Sequence, residues 1–93
     1  MGKEYTVWQK LAQETDIHSQ PLPGVPIVEI AGDKRVLIEN HFGVREYSRQ
    51  RIGVKVKYGL VLVCGSNLEL SRMTREQLVI RGCIEGVTLE RRG

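Results

Sequence analysis

Four side chains in this sequence have the chemistry to bind a borderline or soft metal: His18, His41, Cys64 and Cys83. No two of them stand at the short spacings that structural zinc sites use. Each histidine lies in a polar context that reads as surface. The cysteines sit inside apolar runs, where a free thiol behaves as a small buried hydrophobe, and two are too few for a disulfide framework. Nucleophilic catalysis needs a hydroxyl or thiol beside an oriented base. Ser48, Ser66 and Ser71 fall in turn or edge contexts, and no Gly-x-Ser-x-Gly elbow surrounds them. Glu29 and Glu39 alternate with apolar residues, so they read as solvent-facing strand positions rather than a tuned acid–base pair. The ten glycines are scattered about one per turn, with no phosphate-cradling loop among them. The expectation is a protein with no enzymatic activity, no metal and no cofactor.

Charge leaves one further chemistry to weigh. The net charge of +3 is mild. Residues 27–93 hold twelve Lys/Arg against eight Asp/Glu, which leaves +4 on the body of the chain. Within it, HFGVREYSRQRIGVKVKYG places Phe42, Tyr47 and Tyr58 among Arg45, Arg49, Arg51, Lys55 and Lys57. Aromatic platforms interleaved with cations are what a single-strand nucleic-acid binder requires. Acidic residues are interleaved through the body of the chain, at Glu39, Glu46, Glu69, Glu76 and Glu85, so the alternative reading is a solvated basic face that protects strand edges.

The elements that would position these residues divide at the prolines. Residues 1–19 form an N-terminal arm in which a thin apolar stripe, Val7, Trp8 and Leu11, predicts a short helix. Pro21, Pro23 and Pro26 then make 20–26 an extended connector that no helix can cross. Residues 27–93 change to short strands at period two, separated by turn residues. Apolar alternation predicts strands around 28–30, 36–38, 44–47, 52–56 and 68–70. Leu60–Cys64 is apolar on both faces and should be a central strand covered from both sides. Gly65-Ser66-Asn67 reads as a turn, and 71–76 as a polar stretch with Met73 tucked beneath it. Leu78, Ile80 and Ile84 fall on even positions but Val87 and Leu89 on odd ones, which predicts a β-bulge at Glu85–Gly86. With about seven strands and no helical window between them, the expected fold is all-β, a compact antiparallel β-sandwich or roll.

Residues 20–90 resemble the YabP/YqfC family of sporulation proteins, the YqfC branch in particular. The resemblance is carried by the proline-rich LPGVPIVEIAG, by VLIENHFGV (36–44), by VLVCGSNLEL (61–70) and by MTREQLVIRGCIEGV (73–87). It implies a non-enzymatic protein of the mother-cell cytoplasm, acting through protein–protein contacts in spore development or coat assembly. It also implies a sporulation protein as partner, the membrane-associated YqfD being the natural one, which would recruit the chain to a membrane. In the family the residue after the IENH stretch is commonly basic, whereas this chain carries Phe42.

The expected contact surfaces are the arm, through Trp8 and Leu11, and the 38–44 turn with its flank, through Glu39, Asn40, His41, Phe42 and Arg45. Phe42 has two readings at this stage: an apolar anchor on an exposed turn, or a side chain folded back onto the sheet. The absence of an apolar leader in MGKEYTVWQK fits a cytoplasmic protein. Self-association into a homo-oligomer is a further expectation.

Overall fold

The computed structural model describes residues 24–92. The helix expected in 1–19, with Trp8 and Leu11, and the first part of the connector lie outside the described residues. From Ile27 onward the chain is all-β, as the period-two pattern requires. Its strands are β1 (Ile27–Ala31), β2 (Arg35–Glu39), β3 (Val44–Tyr47), β4 (Arg51–Val56), β5 (Gly59–Met73) and β6 (Gln77–Arg91). They form one antiparallel six-stranded sheet in the order β1-β2-β6-β5-β4-β3.

There are six strands rather than seven because the expected break inside β5 is a bulge. Gly65-Ser66-Asn67 does not turn the chain. β5 runs through it for fifteen residues, with the pairing to β6 shifting between Cys64 and Gly65 and again between Ser66 and Glu69. Asn67 takes the left-handed backbone its type tolerates, at φ 52°, but spends it on a bulge. The strand also continues through 71–73, leaving Met73 half exposed rather than tucked under a loop. The bulge expected near Glu85–Gly86 is present: Cys64 pairs with Gly86 and Gly65 with Ile84, so Glu85 is the extra residue. Gly65 and Gly82 allow the two long strands to approach at these bends. A Cβ on Gly65 would collide with the Cys83 carbonyl. Gly82, at φ 143°, faces the Asn67 carbonyl oxygen at 2.6 Å from the position a Cβ would take.

The bends decide the architecture. β2 pairs with Gln77–Arg81 at one end of β6, while β4 pairs with Gly59–Cys64 at the other end of β5. In a flat sheet β2 and β3 would stand four spacings apart, about 19 Å. Yet only residues 40–43 connect them, a reach of about 17 Å when fully extended. The sheet must therefore fold over. Val36 and Ile38 on β2 accordingly share one core with Ile52 and Val54 on β4, Val61, Val63 and Leu68 on β5, and Leu78, Ile80 and Ile84 on β6. The fold is a single sheet bent over its own core, not two separate sheets. β5 is the central strand expected: besides Val61 and Val63 in the core, Leu60 and Leu62 on the opposite face are only 5% and 7% exposed.

Candidate functional site

The segment from Glu39 to Arg45 is the crossover that joins the two halves of the bent sheet, and its main chain is hydrogen-bonded at Asn40, Phe42 and Gly43. Asn40 ends β2 in a left-handed conformation, φ 63°, which its short polar side chain tolerates. Its backbone N–H donates to Glu76 O at 2.8 Å, and its Nδ2 donates to Val25 O at 2.8 Å. The crossover is thus tied to the β5–β6 turn and to the proline connector. On the other side, Phe42 N–H donates to Lys55 O at 2.7 Å, and Lys55 N–H returns a bond to Gly43 O at 2.8 Å.

His41 locks the centre. Its Nδ1 accepts the Gly43 N–H at 2.9 Å, so the ring proton is on Nε2, which donates to Thr74 O at 2.9 Å. Only 7% of the residue is exposed. The surface histidine expected from its polar neighbours is therefore a buried strut, which fixes the backbone beside Phe42 and lines the same groove.

Phe42 resolves in favour of exposure. On this fixed backbone its side chain is 62% exposed, and it does not fold back onto the sheet. Met73, 50% exposed, lines the same open groove of about 700 Å³, with Thr74, Arg75 and Glu76 along its far wall. An aromatic ring and a polarizable thioether standing exposed over a charged rim suit protein recognition.

The remaining expected site residues divide. Glu39 is half buried and accepts a hydrogen bond from Gln77 Nε2 at 2.9 Å, so it joins β2 to β6. Arg45 is exposed at the β3 bulge and does not line the groove. Trp8 and Leu11 lie outside the described residues. Met73 and the 74–76 turn were missed as site residues. A methionine in a polar run is the signal the sequence offers, but an apolar side chain there is more simply expected to point inward.

Other chemistries fare as follows among the described residues. No three of His, Cys, Asp and Glu come together as a metal site would need. Cys64 is half buried, but Cys83 is exposed, so the expectation that both thiols are buried fails for Cys83, which lies on the solvent side of β6 opposite Ser66. Tyr47 is exposed at the end of β3, while Lys57 and Arg91 approach the Tyr58 ring at 5.5 and 5.8 Å. Arg51 meets Glu46 at 3.4 Å, so part of the basic face is internally paired. No helix among the described residues is long and apolar enough to cross a membrane.

The bent sheet and its exposed crossover define a small all-β module. The chain belongs to the YabP family, whose profile matches residues 25–93. It is also similar to the uncharacterized protein YqfC of Bacillus subtilis (strain 168), at 23% identity over 77 residues, covering 83% of each chain. No solved structure matches it.

Proposed function

We propose that this protein is a non-enzymatic contact module of sporulation, working in the mother-cell cytoplasm in spore development or coat assembly. Its contact surface is the Phe42–Met73 groove. The observation that carries the reading is an apolar ring held 62% exposed on a backbone hydrogen-bonded at residues 40, 42 and 43. Exposing a phenylalanine costs hydrophobic stabilisation that folding it back would have recovered. Fixing its backbone in advance lowers the ordering cost of binding. Both facts favour a surface built for a partner. Membership of the YabP family and similarity to YqfC support sporulation as the setting. The partner proposed is YqfD, the membrane-associated sporulation protein that the resemblance implies, through which the chain would be recruited to a membrane.

The test is co-precipitation of YqfD from sporulating cells with tagged wild-type chain, Phe42→Ala and Trp8→Ala, alongside counts of heat-resistant spores. Loss of YqfD recovery and of spores with Phe42→Ala is expected. Full recovery of both with a folded Phe42→Ala protein would remove the groove from the account.

A further inference from the structure

Among the described residues, the core of the bent sheet is open at one end. β6 runs on past its pairing with β2, which stops at Arg81, and its last residues pair with β5 alone. Leu89 stands directly opposite Val61, and directly paired residues share a face, so Leu89 is on the side of β6 that carries the core. Val61 is fully buried, yet Leu89 is 71% exposed. Beside it lies a cavity of about 280 Å³ whose apolar walls are Pro26, Val56, Tyr58, Leu60 and Leu89. Val56 is the last core residue of β4, so the cavity marks where the core runs out. An exposed leucine next to a half-exposed tyrosine over such a hollow is an apolar surface that calls for a cover.

Position, size and charge select the occupant. Pro26 is a wall of the cavity and also the place where the preceding chain arrives. Asn40 Nδ2 holds Val25 O at 2.8 Å, and Gly24 turns with φ 76° against the Lys57 side chain, so residues 1–23 start from the cavity's rim. Trp8 stands 18 positions before Pro26, within a reach of up to about 60 Å. Such a tether keeps a side chain at an effective concentration on the order of millimolar, which a free partner must match. The cavity, at about 280 Å³, falls just below the roughly 300 Å³ at which ligand pockets begin, and suits one large side chain. Trp8 is the chain's sole tryptophan, with Val7 and Leu11 close by, and an aromatic of that size gains most from burial. Lys57 and Arg91 flank the cavity over the Tyr58 ring, at 5.5 and 5.8 Å, and among the described residues neither forms an ion pair. Glu90, the rim's own acid, is already paired with Arg92. Residues 11–20, by contrast, hold Glu14 and Asp16 and no lysine or arginine.

We infer that the open end of the core is the seat of this chain's own N-terminal arm, with Trp8 in the cavity beside Leu89 and the acids of 11–20 toward Lys57 and Arg91. The arm then completes the core that the sheet alone leaves unfinished, and Trp8 serves the fold. The seat contains neither Phe42 nor Met73, so it stands independently of the proposed partner groove.

Because Trp8 is the sole tryptophan, its fluorescence in the whole chain reads the seat directly. The wild-type chain is expected to emit at shorter wavelength than the same chain in urea, and to be shielded from acrylamide quenching. Leu89→Asp puts a charge into the seat at a residue that is already exposed. It should move the Trp8 emission to the unfolded position while far-ultraviolet circular dichroism stays unchanged. Leu89→Ala should move the emission part of the way, and Phe42→Ala not at all. The wild-type emission should also be the same at every protein concentration, as a contact within one chain requires. Wild-type emission at the unfolded position would overturn the inference. So would emission that ignores Leu89→Asp, or that responds to Phe42→Ala instead. A shift to longer wavelength on dilution would give the seat to a second copy and overturn it equally.

Discussion

At the scale of single residues, His41 and Phe42 are neighbours with opposite roles, and substitutions should separate them. Replacing His41 with alanine leaves the Gly43 N–H without its acceptor and the Thr74 carbonyl without its donor. Each partly buried orphan costs roughly 1–3 kcal/mol, so urea unfolding of His41→Ala is expected to show a loss of about 2–4 kcal/mol. Phe42→Ala removes an exposed ring and should shift the same curve by no more than about 0.5 kcal/mol. Equal losses from the two would contradict these assignments. The identity of both residues as members of one turn was legible, because Asn40 and Gly43 bracket them with turn chemistry. The burial of His41 was not. Its covering partner is Thr74, 33 residues away, and nothing local to either residue signals the meeting.

Strands and bulges are the next scale, and here glycines report on position. Gly82 takes a φ of 143° and faces the Asn67 carbonyl, so Gly82→Ala combines backbone strain with a close contact. A loss of at least about 1–3 kcal/mol is expected by urea unfolding. Gly86 has open space and no left-handed backbone. Gly86→Ala should be neutral within about 0.5 kcal/mol or slightly stabilising, because it restricts the unfolded chain. Finding the two variants alike would argue against the bulge geometry. The Glu85 bulge was legible because a slip from even to odd apolar positions has one simple cause, an inserted residue. The bulge at Gly65–Asn67 was not, since Gly and Asn serve turns and bulges through the same left-handed backbone. The fifteen-residue β5 therefore reads in the sequence as two shorter strands, at 60–64 and 68–70.

For the molecule as a whole, the bend across β5 and β6 makes one core out of both ends of the sheet. Ile38 from the β1–β2 end and Ile52 and Val54 from the β3–β4 end are fully buried in the same cluster. Ile38→Ala should cost about 2–5 kcal/mol, a large share of the 5–15 kcal/mol typical of a domain. Because the core is shared, the loss should appear as one lowered transition whether followed by tyrosine fluorescence or by far-ultraviolet circular dichroism. Two separated transitions would mean that the ends fold independently. The all-β class and the central, doubly covered β5 could be read from alternation and from the apolar run at 60–64. The closure could not, because it depends on where the long strands bend and on the four-residue crossover between β2 and β3.

If the bent sheet presents the crossover to a partner, as proposed, binding affinity tests that role most directly. Purified wild-type chain and Phe42→Ala should be titrated against detergent-solubilised YqfD, with the unfolding midpoints of both measured alongside. Phe42→Ala should lose at least about tenfold in affinity, the minimum for a hot-spot residue, at an unchanged midpoint. Equal affinity of the two proteins would contradict it.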